Sequence, residues 1–63
     1  MMTAYLVYYL LPFSDEELKF ELSAPNEAEA RLACIEELRS ILGYNIDVQG
    51  LITRVETYNK YFL

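Results

Sequence analysis

The first apolar segment of the chain, residues 3–11, places hydrophobic side chains at both odd and even positions. It is rich in aromatic residues and ends at Pro12, which is typical of a β-strand. A strand with one solvated face alternates apolar and polar residues. Because this segment does not alternate, we predict a central strand that is covered on both faces or offers one face to a partner.

The second segment, residues 17–23, alternates with a period of two. Leu18, Phe20 and Leu22 fall on one side and charged or polar residues on the other, which predicts a strand with one wet face. The preceding Ser-Asp-Glu-Glu also has the form of a capping box, and Leu18 and Leu22 have helical spacing, so a short helix is the alternative. The alternation favours the strand, which then forms a hairpin with the first.

Residues 26–42 predict one amphipathic helix. Asn26 is a good N-cap with Glu29 three positions later, and Gly43 provides the expected stop. Apolar residues recur at helical spacing along this segment. The stripe expected to face the sheet contains Ala28, Leu32, Cys34, Ile35, Leu38, Ile41 and Leu42.

A third strand is expected within residues 46–57, with Gly50 at a bulge or close approach. The tail, residues 58–63, either extends this strand or turns into a short fourth strand. The expected faces of the third strand are Leu51, Thr53, Val55 and Thr57 on one side, and Ile52, Arg54 and Glu56 on the other.

These elements predict a small α+β domain that spans residues 1–63, with ββαβ order. The first strand is central in a three-stranded, mainly antiparallel sheet, and the helix packs on one face. Since one helix cannot cover both faces, we expect the odd-numbered face of the first strand to be an exposed interface; the alternative is a core face that residues 58–63 cover. That predicted interface comprises Tyr5, Val7, Tyr9 and Leu11, with Tyr58, Tyr61 and Phe62 of the tail.

The amino-acid composition indicates a folded domain and argues against nucleic-acid binding and membrane association. The 63 residues are 54% apolar and 14% aromatic, which indicates a folded domain. Five Lys and Arg against ten Asp and Glu give a net charge of −5, so we do not expect nucleic-acid binding. The longest apolar run is about half the length of a membrane span, so no membrane association is expected.

The residue types for common active sites are missing from the sequence. It contains no histidine, one cysteine and two glycines, which excludes His-activated nucleophiles, thiolate zinc sites and glycine-rich phosphate loops. We therefore assign no catalytic, cofactor-binding or metal-binding residue and expect a protein that is not an enzyme. The lone Cys34 fits a reducing compartment and predicts a cytoplasmic location.

Three glutamates of the predicted helix, Glu29, Glu36 and Glu37, form an acidic surface. The first hypothesis is a non-catalytic protein–protein interaction module, a homodimer through the tyrosine-rich face that also engages a partner with a basic surface. The alternative is a phage- or plasmid-type inhibitor that blocks a nucleic-acid enzyme, with carboxylates standing where phosphates would lie.

Overall fold

A computed structural model of the protein, which describes residues 2–58, contains a three-stranded antiparallel sheet and one long helix. The elements in chain order are β1 (Thr3–Leu10), β2 (Glu17–Ala24), α1 (Glu27–Leu42), a 3-10 turn (Val48–Leu51) and β3 (Ile52–Thr57). The strand order is β2-β1-β3, so the predicted α+β class and the central first strand are confirmed. Of the tail, residues 58–63, which is predicted to extend the third strand or to form a short fourth one, residues 59–63 lie outside the described residues. Within residues 2–58, no helix is both long and apolar enough to cross a membrane.

β1 and β2 form a regular hairpin, which confirms the strand in residues 17–23 and excludes the helical alternative. The pairing runs without a register break from Thr3 opposite Ala24 to Leu10 opposite Glu17. A strand places every second residue on the same face, so all four apolar residues of β2 reach the core side, whereas a short helix would bury fewer. Those residues are Leu18, Phe20, Leu22 and Ala24.

The helix begins and ends as the sequence predicts. The Asn26 side chain accepts a hydrogen bond from the Glu29 N–H at 2.9 Å. At the other end, Gly43 adopts a φ of 86° and its N–H donates to the Arg39 carbonyl at 2.8 Å. A residue with a side chain would be strained at this φ, so glycine is what lets the chain leave the helix here.

The helix covers the face of β1 that the sequence analysis expected to be exposed. Tyr5, Val7 and Tyr9 are 8%, 0% and 9% exposed and form the centre of the core, and Leu11 is half-buried against it. The prediction of an exposed odd-numbered face is therefore wrong. Because β1 is apolar on both faces, the alternation of β2 determines which face of β1 is buried. Phe20 lies opposite Val7, so only the odd-numbered face continues as an apolar surface on the neighbouring strand.

The buried stripe of α1 is rotated from the predicted one. Ala30, which was not predicted, is fully buried, whereas Leu32 and Ile41 are 48% and 62% exposed. Small side chains at the contact let a helix lie close to a sheet, and Ala30 and Cys34 provide that contact here. The buried helix residues are Ala30, Cys34, Ile35 and Leu38, and Val48 of the 3-10 turn joins the same core.

Gly50 is not at a bulge. It belongs to the 3-10 turn, where its N–H donates to the Asp47 side chain at 3.4 Å. The irregularity lies in β3 instead, since Tyr8 pairs with Arg54 but Tyr9 pairs with Ile52, which leaves Thr53 as the extra residue. The bulge moves Ile52 to the core side, so the predicted face of Ile52 and that of Thr53 are both wrong.

Candidate functional site

The face of the sheet opposite α1, called here the outer face, has an apolar centre between two charged rows. Even-numbered residues of β1 occupy the centre and are half-buried. Their cross-strand neighbours on β2 and β3 are mostly charged and exposed. The outer face comprises Ala4, Leu6, Tyr8 and Leu10, flanked by Glu17, Lys19, Glu21 and Ser23 on β2 and by Thr53, Arg54 and Glu56 on β3.

Arg54 crosses the centre of the outer face. Its guanidinium carbon lies 4.0 Å from the centroid of the Tyr8 ring. Its two terminal nitrogens lie 3.3 Å from a Glu17 carboxylate oxygen and 3.1 Å from one of Glu56. Glu17 also accepts a hydrogen bond from the Thr53 hydroxyl at 2.6 Å. These contacts join all three strands and hold a planar cation on an aromatic ring, an arrangement worth about 0.5–1 kcal/mol at an exposed site.

The network covers the outer face around Tyr8. Leu6 is the next residue of β1 on this face and lies between Glu21 on β2 and Glu56 on β3. Among residues 2–58, neither Lys19 nor Glu21 makes an ion pair. The surface around Leu6 therefore offers apolar area beside the unpaired charge of Glu21, whereas the Tyr8 ring is covered by Arg54.

Phe13, in the hairpin loop that follows Leu10, is fully exposed in a conformation that costs energy. Its φ is 65° and its exposure is 109%. The Ser14 N–H donates to the Leu11 carbonyl at 3.1 Å and closes a four-residue turn around Pro12 and Phe13. The third position of a type II turn requires a positive φ and favours glycine, so a bulky side chain is strained there.

We expect Phe13→Gly to stabilise the fold by about 0.5–1 kcal/mol, because glycine relieves the positive φ and the exposed ring makes no packing contribution. Phe13→Ala is the control, since it removes the ring and keeps the strain, and its unfolding free energy should match that of the unmodified protein. Urea denaturation of the three proteins measures both. A clear loss of stability in Phe13→Ala would show that the ring does pack against the fold.

The predicted acidic surface is exposed as expected. Glu29, Glu36 and Glu37 all lie at the surface of α1, and none makes an ion pair among the residues that the structure describes. Glu37 additionally lines a groove of about 260 Å³ between α1 and the edge of β2, with Phe20, Leu22, Ala33 and Cys34.

Cys34, at the base of this groove, is 1% exposed and is the free cysteine of the chain. Burial, and then the negative charge of Glu37, raise the pKa of its thiol from 9.0 to about 11. A thiol that stays protonated is a poor nucleophile. Cys34 is thus a core residue and not a reactive one.

The predicted tyrosine interface is not assembled on the surface. Tyr5, Val7 and Tyr9 are in the core, and Tyr58 is half-buried with its N–H donating to the Ala4 carbonyl at 2.8 Å. Tyr61 and Phe62 lie outside the described residues. Sequence reasoning missed Tyr8, Arg54 and Phe13, for which the available signals were the alternation of β2 and the Pro-Phe pair in the loop.

No three His, Cys, Asp or Glu side chains within residues 2–58 are grouped closely enough to hold a metal ion. The outer face combines an apolar centre, a stacked Tyr8–Arg54 pair and charged borders. Comparison of the chain with protein-family models, with curated proteins and with solved structures finds no match.

Proposed function

We propose that this protein is a non-catalytic protein–protein interaction module whose binding surface is the outer face of the sheet. The observation that carries the proposal is the Tyr8–Arg54 stack at the centre of a face that α1 leaves uncovered. Tyr and Arg are the residue types most enriched, with Trp, among the residues that dominate binding energy at interfaces.

The geometry supports a preorganised surface. Arg54 is held by two carboxylates, so little side-chain freedom remains to be lost when a partner binds. The apolar neighbours Leu6 and Leu10 are half-buried and would be desolvated by a partner that covers the centre. A central aromatic with a charged rim is the usual anatomy of such interfaces.

Charge indicates the kind of partner. The outer face carries Glu17, Glu21 and Glu56 against Lys19 and Arg54, and the whole chain has a net charge of −5. Since Glu17 and Glu56 are paired with Arg54, the uncompensated charge nearest to Leu6 is that of Glu21. A partner with an apolar centre and basic residues at its edge would complement this surface.

Site-specific photo-crosslinking in the native host tests the location of the surface. A photoreactive amino acid, p-benzoylphenylalanine, replaces Leu6 in one protein and Glu36, on the exposed side of α1, in the other. We expect a discrete adduct from position 6 and none from position 36. Adducts from position 36 alone would overturn the proposal and support the acidic-mimic alternative, which would also require that Glu36→Lys abolish binding.

Tyr8→Ala is expected to weaken partner binding by about tenfold or more, because it removes the ring on which Arg54 stacks. The matched control is Tyr44→Ala. This substitution is of the same type, at a residue that is 83% exposed and is not one of the outer-face residues. Quantified adduct yield from position 6 measures the effect, and circular dichroism checks the fold. Equal yields from the two variants would contradict the assignment of the surface.

A further inference from the structure

The two edges of the sheet differ in how they are protected. β3 has six residues, carries the bulge at Thr53 and follows a 3-10 turn, features that limit pairing with another strand. β2 has eight residues, pairs with β1 without a break and contains no proline or glycine. Its free edge is therefore a regular template for a further strand.

One hydrogen bond establishes which backbone groups of β2 are free. The Tyr58 N–H donates to the Ala4 carbonyl, so even-numbered residues of β1 direct their backbone groups toward β3. Odd-numbered residues of β1 then bond to β2, and their partners in the register are even-numbered. The β2 residues whose N–H and C=O groups point to the free edge are Glu17, Lys19, Glu21 and Ser23.

We propose that β2 pairs with β2 of a second copy of this chain, antiparallel around a two-fold axis at Phe20, to form a six-stranded sheet. In this register Lys19 lies opposite Glu21 of the second copy, and the symmetry repeats the pair. These two residues exchange backbone hydrogen bonds, as the direction of their free groups requires. Leu18 lies opposite Leu22 of the second copy on the core side.

The order of charges along β2 selects this register over its neighbours. An axis at Lys19 would place two lysines against each other and Glu17 opposite Glu21. An axis at Glu21 would place two glutamates against each other. Like charges directly opposite are destabilising, whereas opposite charges stabilise the pair. An axis at Leu18 would pair Glu17 with Lys19, but it would leave residues 20–24 without partners in β2.

The ion pairs that β2 makes within one copy of the chain support the same register. Glu17 is already engaged by Arg54 and Thr53, whereas Lys19 and Glu21 make no ion pair among residues 2–58. Two residues apart on one strand, Lys19 and Glu21 lie side by side along the edge and do not form an ion pair with each other. A second copy in the antiparallel direction supplies each with its opposite charge.

The core side of β2 also leaves room for a second copy. The groove of about 260 Å³ beside β2 is lined by Phe20, Leu22, Ala33 and Cys34, and by the charged residues Glu21 and Glu37. The Phe20 ring stacks on Tyr9 with a centroid distance of 4.9 Å. At the two-fold axis Phe20 would meet Phe20 of the second copy in a non-hydrogen-bonded pair, the type whose side chains come closest. The aromatic stack would then continue across the interface and close the groove.

This inference does not rest on the proposed function. The dimer would be held by the backbone of the β2 edge and by Lys19 and Glu21 at the border of the outer face, whereas the proposed binding surface is centred on Tyr8 and Arg54. Both outer faces of the dimer would lie on the same side of the joined sheet, because the two-fold axis is perpendicular to it. A dimer would therefore present two copies of the proposed binding surface side by side. Either proposal stands if the other fails.

Charge reversal and charge exchange test the register. Sedimentation velocity over a dilution series should give a mass of twice 7.4 kDa for the unmodified protein. Lys19→Glu should raise the dimer dissociation constant by about tenfold or more, because both symmetry-related pairs become repulsive. The double variant Lys19→Glu with Glu21→Lys should restore it to within about threefold, since the pairs return with exchanged signs.

Matched controls keep the result specific. Arg31→Glu changes the net charge as Lys19→Glu does, at an exposed residue of α1, and should leave the dissociation constant unchanged. A mixture of isotope-labelled and unlabelled protein should show a contact between the Phe20 Hα atoms of the two copies. A monomer at all concentrations would overturn the proposal. So would a dimer that the exchange fails to restore, or one without the Phe20 contact.

Discussion

Leu38→Ala is expected to lower the free energy of unfolding by about 2–5 kcal/mol. The Leu38 side chain is fully buried between α1 and the sheet, so its truncation removes apolar contacts and leaves a cavity. A domain of 63 residues has a total stability of about 3–9 kcal/mol. The loss should therefore be a large fraction of the total stability, which thermal and urea denaturation followed by circular dichroism will measure.

Leu32→Ala is the matched control, because it makes the same chemical change in the same helix. Leu32 is 48% exposed, so its truncation should cost less than about 1 kcal/mol. The sequence pattern places Leu32 and Leu38 in one buried stripe, and only the structure separates them. Equal losses of stability in the two variants would contradict the helix orientation described above.

The elements of this fold are predictable because each has a local signal. Asn26 and Gly43 delimit α1 through backbone hydrogen bonds that depend only on residues a few positions away. The alternation of β2 and the continuous apolar character of β1 predict their places in the sheet for the same reason. Order and strand topology follow from these signals and from short connections.

The orientation of each element is harder to predict because it depends on its neighbours. β1 is apolar on both faces, so its own sequence does not choose between Tyr5 and Tyr8 as the core residue. The choice follows from register with β2, where Phe20 opposes Val7 and charged residues oppose the even-numbered face. Considering both strands of the hairpin together would have given the correct face.

The helix presents the same ambiguity in another form. Its apolar residues form two overlapping stripes at helical spacing. One stripe contains Leu32 and the other contains Cys34, and both include Ile35 and Leu38. Counting large side chains favours the first stripe. Close approach of α1 to the sheet favours the second, because Ala30 and Cys34 occupy little space.

The candidate site could not be predicted as an assembly. Arg54 and Glu17 are 37 positions apart, and their contact requires β3 and β2 to flank β1 in a particular register. The bulge at Thr53 adds to this, since it shifts the register between Ile52 and Arg54 and brings the Thr53 hydroxyl to Glu17. The residues of an interface made from three strands carry no common sequence pattern, whereas the charge order along β2 is visible in the sequence once the free edge is known.

Raising the pH from 9 to 11 is expected to destabilise the protein by about 2 kcal/mol through Cys34 alone. The folded protein holds the thiol proton up to a pKa of about 11, against 9.0 without the fold, because burial and then Glu37 disfavour the thiolate. Above pH 9 the unfolded chain loses this proton first, so it binds fewer protons than the folded protein and stability falls as pH rises. Burial, and then the charge of Cys34, also raise the pKa of Tyr9, which acts in the same direction.

Cys34→Ala separates the thiol from the other groups that titrate at high pH. At pH 7 the variant should be less stable by about 1 kcal/mol, since a small cavity replaces the sulfur atom. Its unfolding free energy, measured by urea denaturation at intervals from pH 8 to pH 11, should fall less steeply than that of the unmodified protein, so the two curves converge or cross. Parallel curves would mean that the buried thiol has an ordinary pKa, and rapid modification of native Cys34 by a thiol reagent at pH 8 would contradict its burial directly. Convergence would establish that the Cys34 thiol, a buried titratable group of α1, is held neutral by the packing of the helix on the sheet. The same packing leaves the outer face uncovered.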